Sequence, residues 1–316
     1  MLPYRILVTG GAGFVGSNFI RHMLSKHEYK IVNLDKLTYA GNLESLRDVE
    51  NDERYSFVEG DICNYSLVDI LVRDVDVVIN FAAESHVDRS IKDPTSFLKT
   101  DILGTQNLLS AVKKHNVKRF IQISTDEVYG SIEKGSSVES DPLLPNNPYS
   151  ASKASADLMC RAYFETYGTP VVITRSTNNF GKYQHIEKLI PYLCDTLLKD
   201  EQIYIYGDGT DVRDWIYVED NCKAIDMVLH KGKVGQIYNI GGSNEVRNID
   251  MANNVCRLLG KGEVKFTQNR QGHDKRYSLN SSKLYALGYK PNTDFVEALK
   301  ETVNWYRDNE WRKSCK

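Results

Sequence analysis

The chain has 316 residues, of which 41 % are hydrophobic and 26 % are charged, and its formal net charge is −2. This length suffices for one large or two ordinary domains, each with a packed core. A charge so close to zero excludes the global basic field that attracts nucleic acid or anionic lipid, and no apolar run approaches the roughly 20 residues that cross a bilayer. We therefore expect neither a nucleic-acid nor a membrane partner.

Six cysteines are scattered along the chain without a CxxC spacing, so we expect neither a disulfide framework nor a metal site. Free cysteines are typical of a reducing compartment. The first residues lead directly into a strand pattern, which leaves no room for a signal peptide. A cytoplasmic location is the resulting expectation.

The first predicted strand, at 5–9, runs into a glycine-rich loop and then into a helix. Gly10 suits a tight turn, Gly13 lets the backbone approach a pyrophosphate, and Gly16 allows the helix to pack closely on the strand. The helix N-terminus offers free N–H groups and the positive end of a dipole to an anion. This unit predicts a dinucleotide site.

The second predicted strand, at 30–34, ends at Asp35, an acid roughly 20 residues past the glycine loop. Its carboxylate would accept hydrogen bonds from the ribose hydroxyls of adenosine and repel a 2′-phosphate. The pattern therefore predicts NAD rather than NADP, although the cation of Lys36 softens that repulsion.

The third predicted strand, at 55–60, is followed by Asp61 and Ile62. An acid here can meet the adenine amino group while the isoleucine covers the ring. The alternative is that Asp61 caps the helix that follows, and the sequence leaves both interpretations open.

The fourth predicted strand, at 75–80, leads into Ala82 and Ala83, whose small side chains let a cofactor backbone pass closely. If the sheet is parallel, Ser85 and His86 then point into the same cleft. We interpret His86 as a substrate contact, and the alternative is an ordinary polar loop residue. A long helix is predicted at 94–115.

The fifth predicted strand, at 119–123, ends in a hydroxyl and two carboxylates, those of Thr125, Asp126 and Glu127. Open α/β sheets bind their ligands at such strand ends. Two acids crowded into one cleft resist ionising together, so one tends to stay protonated while the other acts as a base.

The helix predicted from 149 to about 167 carries Tyr149 and Lys153 four residues apart, on one face. An ammonium beside a phenol lowers the pKa of the phenol. The pair is then a base for an alcohol proton near neutral pH. Taken alone, the same spacing is more often a surface pair.

A sixth strand at 171–175 completes six βα-type units, and this alternation predicts a Rossmann-like, doubly wound parallel sheet. We expect residues 1–175 to form the NAD-binding domain, rejoined by a strand near 236–241. Residues 176–316 are expected to form a smaller α/β substrate domain. Its predicted elements are a polar, loop-like segment at 176–185, a helix at 187–198, extended pieces at 204–209 and 213–218, and a last helix from about 295.

Guanidinium groups suit phosphate oxygens, and three arginines of the C-terminal part are candidates to bind a diphosphate. They are Arg213, Arg270 and Arg276. For each of them a solvated surface arginine is an equal alternative.

Together these motifs resemble the extended short-chain dehydrogenase/reductase family and, within it, the nucleotide-diphosphate-glucose 4,6-dehydratases. The resemblance covers nearly the whole chain. The consecutive Thr125, Asp126 and Glu127 are its decisive mark, since related epimerases and decarboxylases share the glycine loop and the tyrosine–lysine pair but lack adjacent acids there. Further marks are the segments 34–42, 82–90, 187–191, 213–215 and 272–274.

The resemblance implies a tightly held NAD, a nucleotide-sugar substrate, no metal, and a homodimer that pairs the helices from Pro94 and Tyr149. The implied cofactor contacts are Gly10, Gly13, Phe14, Val15, Gly16, Asp35, Lys36, Thr38, Asp61, Ile62, Ala82, Ala83, Thr100, Tyr149, Lys153 and Asn179. The implied substrate contacts are Ser85, His86, Thr125, Asp126, Glu127, Asn178, Lys188, Leu189, Tyr204, Tyr206, Arg213, Asn248, Arg270, His273 and Tyr277.

The implied reaction converts dTDP-glucose to its 4-keto-6-deoxy form with loss of water. Tyr149, helped by Lys153 and Thr125, would remove the 4-OH proton as hydride leaves C4. Glu127 would then take the C5 proton while a protonated Asp126 donates to the departing 6-OH, and hydride returns to C6. UDP-glucose is the alternative substrate. The alternative functions are a nucleotide-sugar 4-epimerase or decarboxylase, and a cofactor-binding regulatory protein without turnover.

Three residues depart from the family pattern. Asp101 stands where asparagine is usual, and that asparagine supports a proton relay behind the lysine. An acid there is expected to raise the pKa values of Lys153 and Tyr149. Lys182 and Ile186 replace prolines, which is expected to loosen the loop between them.

Overall fold

The computed structural model describes residues 4–269, 272, 274–309 and 311. The strands within them are β1 (Arg5–Thr9), β2 (Lys30–Asp35), β3 (Tyr55–Glu59), β4 (Val77–Asn80), β5 (Arg119–Thr125), β6 (Val171–Ser176), β7 (Asn178–Phe180), β8 (Ile203–Tyr206), β9 (Val212–Tyr217), β10 (Ile237–Ile240), β11 (Glu245–Arg247) and β12 (Val264–Thr267). The α-helices are α1 (Phe14–Lys26), α2 (Tyr65–Arg73), α3 (Val87–Lys92), α4 (Pro94–Phe97), α5 (Thr105–His115), α6 (Pro148–Tyr167), α7 (Leu189–Leu198), α8 (Val218–Lys231), α9 (Asn248–Leu259), α10 (Ser282–Tyr285) and α11 (Phe295–Asp308).

Seven parallel strands form the central sheet in the order β10-β6-β5-β4-β1-β2-β3. The predicted doubly wound sheet is therefore confirmed. The chain leaves β1 towards β2 and β3 on one side, and continues from β4 on the other. This reversal between neighbouring strands opens a crevice at their carboxyl ends, which is where such sheets bind ligands.

Both faces of the sheet are covered because its strands are apolar on both sides. In β1, Ile6 and Val8 point into one core and Leu7 points into the other. The first core contains the apolar face of α1, and the second contains those of α2 and α5. Burial on both faces holds the strand ends, and hence the crevice, in a rigid frame.

The C-terminal part adds two small sheets, of order β11-β9-β7 and β12-β8. The expectation of a loop at 176–185 was wrong for four of its residues, because β6 extends to Ser176 and β7 pairs in parallel with β9. Short polar strands lack the apolar run that identifies a strand in sequence. The strand β10 lies beside β6 at the edge of the central sheet.

The long helix predicted at 94–115 consists of α4, a π-helical stretch at Leu98–Gly104, and α5. The π-helical stretch carries Thr100 and Asp101. Such wide turns are rare and often occur at functional sites. Within the described part of the chain, no helix is both long and apolar enough to cross a membrane.

Candidate active site

A cleft of about 310 Å³ lies at the carboxyl ends of the central strands. Every residue that the sequence assigns to the cofactor lines it, and so do the five residues assigned to catalysis. They come from the ends of β1 to β5, from the starts of α1 and α6, from the π-helical stretch, and from the polar segment after β6. The parallel sheet is what gathers these distant segments at one edge.

The glycine loop fits a pyrophosphate closely. Gly10 has a φ of +69°, and a Cβ there would lie 2.5 Å from the backbone nitrogen of Ala82. A Cβ on Gly16 would lie 2.4 Å from the carbonyl oxygen of Gly10. No side chain caps the first turn of α1, which carries no acidic residue, and Phe14 and Val15 of that turn line the cleft. Its N–H groups and dipole therefore favour an anion.

Asp35 is held by the backbone around it, since it accepts hydrogen bonds from the N–H groups of Ala12 and Leu37, each at 2.9 Å. Burial raises the pKa of its carboxyl, and the backbone hydrogen bonds oppose that rise. Lys36 does not neutralise Asp35, because its ammonium pairs with Asp61 at 2.7 Å. The repulsion of a 2′-phosphate by Asp35 therefore persists.

Asp61 is not the cap of the following helix. The N-cap of α2 is Asn64, whose side chain accepts from the N–H of Leu67 at 3.3 Å. Asp61 instead accepts from the N–H of Cys63 at 2.8 Å. The structure thus rejects the capping alternative and leaves Asp61 on the wall of the cleft, beside Ile62.

The two adjacent acids lie on a 3₁₀ turn directly after β5. Asp126 is 3 % exposed and accepts from the Thr125 hydroxyl at 3.1 Å. Its other oxygen has no hydrogen-bond partner among the described residues. Burial, and next the charge of Glu127, raise the pKa of Asp126 well above its usual range. This environment favours the protonated form of Asp126.

Glu127 lies against the first turn of α6, where the Ser150 hydroxyl donates to its Oε2 at 3.2 Å. Sequence reasoning did not single out Ser150. Its position directly after Tyr149, at the start of the helix, was the available signal. This contact orients Glu127 as a hydrogen-bonded carboxylate.

The Tyr149 hydroxyl has a pKa raised well above its usual value, first by desolvation and then by the charges of Glu127 and Asp101. A hydrogen bond with Thr125 opposes that rise. The expectation that Lys153 lowers the pKa of Tyr149 is contradicted, because desolvation and then the nearby carboxylates raise that pKa. The Lys153 ammonium instead donates to the carbonyl of Ile123 at 2.6 Å.

Asp101 is 2 % exposed and accepts from the N–H of Glu84 at 3.0 Å. Its other oxygen accepts a hydrogen bond from the hydroxyl of Ser152. The same hydroxyl lies 2.8 Å from the carbonyl oxygen of Tyr149. Burial raises the pKa of Asp101 to about 6, although Lys153 opposes this. The expected upward effect of Asp101 on the pKa of Tyr149 is present.

The loop that lacks the two usual prolines is attached by other contacts. The Lys182 ammonium pairs with Glu301 of α11. Tyr183, with a φ of +70°, packs its ring against Trp305 at 4.8 Å and Trp311 at 5.3 Å. These contacts tie the loop to the last helix.

Of the predicted substrate residues, Ser85, Asn178 and Lys188 line the cleft together with the catalytic group, and the Lys188 ammonium donates to the carbonyl of Ser85. The predicted contacts that do not line it are His86, Leu189, Tyr204, Tyr206, Arg213, Asn248 and Tyr277. Arg270 and His273 lie outside the described residues.

The two described candidate phosphate-binding arginines are engaged within the chain. Arg213 is 6 % exposed and donates to the carbonyls of Val212 and Asp274, each at 2.8 Å. Its guanidinium lies 4.7 Å from the ring centre of Tyr277. Arg276 pairs with Glu245 at 2.7 Å. A diphosphate would have to displace these partners.

Sequence reasoning missed several polar residues of the cleft wall. They are Ser176, Thr177, Gln184, His185 and Asn221. Ser176 ends β6 and three others follow it, so the strand end itself was the signal.

The model of the family described as GDP-mannose 4,6 dehydratase matches residues 7–302. The chain is 49 % identical over 303 residues to the low-salt glycan biosynthesis protein Agl12 of Haloferax volcanii, covering 95 % of this chain and 98 % of that protein. It is 46 % identical over 313 residues to a dTDP-glucose 4,6-dehydratase of Streptomyces niveus, covering 96 % and 93 %. The crystal structure of DesIV, a dTDP-glucose 4,6-dehydratase from Streptomyces venezuelae with NAD bound, superposes with a TM-score of 0.97 at 46 % identity, covering 99 % of this chain and 100 % of that one.

Proposed function

The chain belongs to the GDP-mannose 4,6-dehydratase family, and from that premise we propose that it is an NAD-dependent enzyme that converts dTDP-glucose to dTDP-4-keto-6-deoxyglucose and water. One observation carries this proposal. A buried Asp126 whose pKa is raised adjoins Glu127 in the same cleft as Tyr149 and Lys153. A proton donor beside a carboxylate base is the arrangement that the removal of water requires.

The cleft suits NAD because the uncapped start of α1 and the closely packed glycines accommodate a pyrophosphate. Asp35 would accept hydrogen bonds from the adenosine ribose, and Asp61 with Ile62 would meet the adenine. When bound, NAD supplies a hydride acceptor that returns the hydride within the same turnover.

Tyr149 takes the proton of the glucosyl 4-OH in the first step. Its phenolate is favoured by the Thr125 hydrogen bond and opposed by burial and the nearby acids. Lys153 lies one helical turn away. Its ammonium donates to the carbonyl of Ile123 and so fixes this face of α6 against β5. These residues start the oxidation at C4, which makes the C5 hydrogen acidic.

Glu127 and Asp126 then carry out the elimination. Glu127 removes the C5 proton, and the electron pair of that C–H bond forms the C5=C6 double bond. The C6–O bond breaks, and Asp126 donates its proton to the departing oxygen, which leaves as water. The different environments of the two acids assign the roles, since Asp126 is the buried one.

Within this proposal, residues 1–175 bind the cofactor and 176–316 bind the nucleotide sugar. The separate sheet that contains β7, β9 and β11 supports the division. Three leucines on the two long helices support a homodimer, because Leu98, Leu103 and Leu158 are 51, 55 and 55 % exposed. A sedimentation mass of a single chain would contradict the dimer. The free thiols of all five described cysteines support a cytoplasmic location.

The direct test is to incubate the purified protein with dTDP-glucose and, separately, with UDP-glucose, and to read each product by mass. The proposal expects a product lighter than dTDP-glucose by one water, without net accumulation of NADH. A product of unchanged mass would favour an epimerase, preference for the uridine sugar would correct the substrate, and no turnover would favour a binding protein.

The roles of the two acids are tested with Glu127→Gln, which keeps the shape of the side chain and removes the base. We expect this variant to fold and retain NAD but not to exchange the C5 hydrogen with deuterated solvent. The control is Glu133→Gln, at an exposed position outside the cleft. Normal exchange in Glu127→Gln would place the base elsewhere.

A further inference from the structure

A cluster of histidines surrounds one carboxylate where the end of α1 packs against α8, and none of its members lines the cleft. It contains three of the seven histidines of the chain. Asp226 is contacted by His22 Nε2 at 2.9 Å, by His27 Nε2 at 3.0 Å and by His230 Nδ1 at 2.9 Å. The reaction described above uses none of these residues.

Three of these groups are spaced as metal ligands are. One ligand atom each of His27, Asp226 and His230 lies within 4.8 Å of the other two. An ion that holds tetrahedral ligands at roughly 2.0–2.1 Å spaces them roughly 3.3 Å apart. The three ligand atoms therefore lie close enough together to surround one ion.

The rings are already held in position by their neighbours. The Tyr29 hydroxyl lies 2.7 Å from Nε2 of His230, and Nδ1 of that ring lies 2.9 Å from Oδ1 and 2.8 Å from the backbone carbonyl oxygen of Asp226. The ring of His27 stacks on Tyr29 with centres 4.7 Å apart and an interplanar angle of 7°. His22 contacts Oδ2 of Asp226, whereas Oδ1 lies 3.1 Å from Nε2 of His27 and 2.9 Å from Nδ1 of His230. Metal-binding histidines and carboxylates are characteristically oriented by such outer partners.

We propose that His27, Asp226 and His230 bind one divalent transition-metal ion of the zinc type, with water as the remaining ligand. Imidazole nitrogens with one carboxylate favour Zn²⁺ over Ca²⁺ or Mg²⁺, which prefer oxygen ligands. The bound ion would join the end of the cofactor-binding helix to α8. The sequence expectation of no metal rested on cysteine spacing, and it could not bring together His27 and Asp226, which are 199 residues apart.

The positive charge of Arg119 lies nearby and would repel a metal ion bound at Asp226. Its guanidinium is occupied by the end of α8, where it donates to the carbonyls of Val228 at 3.0 Å and Leu229 at 2.6 Å. The charge is therefore fixed on helix carbonyls, and the carboxylate of Asp226 remains available to the metal.

The test uses the full-length, tag-free protein with its NAD retained, treated with a chelator and then titrated with Zn²⁺ in a calorimeter. We expect one Zn²⁺ per chain, a rise in the melting temperature, and visible absorption bands of a low-symmetry site when Co²⁺ replaces Zn²⁺. His27→Gln and His230→Gln should each abolish the stoichiometric binding. The matched control is His115→Gln, since His115 also contacts a carboxylate, Asp69 at 2.8 Å, without other histidines around it.

Tyr29→Phe provides a second test that keeps the ligands and removes only the outer partner of His230. We expect it to weaken Zn²⁺ binding by roughly tenfold, with the circular dichroism spectrum and retained NAD unchanged. No stoichiometric binding by the wild type, or equal binding by the wild type, His27→Gln and His230→Gln, would overturn the proposal.

Discussion

Replacing the buried acid behind the catalytic helix, with Asp101→Asn, should stabilise the protein at neutral pH. An asparagine fits the same contacts. Its oxygen can accept from the N–H of Glu84, as Asp101 does at 3.0 Å. Its amide can donate to the Ser152 hydroxyl, which then donates to the carbonyl of Tyr149 at 2.8 Å. The substitution therefore removes the buried charge and keeps both of the contacts that Asp101 makes.

The size of the effect follows from the pKa of Asp101, which burial raises from 3.8 to about 6. A carboxyl whose pKa is higher in the folded than in the unfolded chain binds its proton more tightly when folded. The ionisation of Asp101 therefore leaves the free energy of unfolding unchanged below pH 3.8 and lowers it by the full amount above pH 6. The penalty is about 3 kcal/mol, and the value already includes the opposing attraction of Lys153.

The assay compares thermal unfolding of wild type and Asp101→Asn at saturating NAD, from pH 4 to pH 8. The variant should match the wild type at the acid end, gain stability as the pH rises towards 6, and keep a constant advantage of roughly 5 °C above it. The control Asp74→Asn, at an exposed ion pair, should follow the wild type throughout. A difference that is the same at every pH would refute the reasoning.

Three further predictions concern the glycine loop, the proposed base Tyr149 and a buried ion pair. Gly16→Ala should lose most of its retained NAD, measured after denaturation, because the new Cβ would lie 2.4 Å from the Gly10 carbonyl oxygen. Tyr149→Phe should lower kcat by roughly 10²–10⁴-fold in a turnover assay, with NAD content unchanged. Arg175→Met should cost about 3–5 kcal/mol in urea unfolding, because Asp157, its buried partner at 2.9 Å, loses its opposite charge and keeps only the hydrogen bond from Ser124.

Each of these has an outcome that would contradict it. Full NAD content in Gly16→Ala would mean that the glycine loop accommodates the new Cβ without losing NAD binding. Turnover by Tyr149→Phe near the wild-type rate would assign the first proton transfer to another group. A stability of Arg175→Met equal to that of the wild type would mean that Asp157 takes up a proton freely, or finds another donor.

The sequence predicted the nucleotide-binding half well because its signals are local. A strand, a glycine loop and a helix follow each other within residues 5–26, and each later strand ends in the residue types that line the cleft. Parallel strands must bring their carboxyl ends to one edge. The grouping of Asp35, Asp61 and Glu127 around one cleft follows from that rule.

The C-terminal half was less predictable because its strands are short and partly polar. Asn178–Phe180 becomes a strand only because Val212–Tyr217 lies beside it. In the same way, Arg213 donates to the backbone carbonyl of Asp274, which is 61 residues away in sequence. Spacing along the chain contains no information about such partners.

The amino-acid order by itself determined the family and the parallel sheet and singled out the candidate catalytic side chains, since these depend on motifs that are contiguous in the chain. The folded chain alone decided the electrostatics. It buried Asp126, directed Lys153 at a carbonyl rather than at Tyr149, and gave Asp101 its raised pKa. The reason is physical: a pKa depends on desolvation and on charges within a few ångströms, and both are set by packing between segments that the chain order keeps apart.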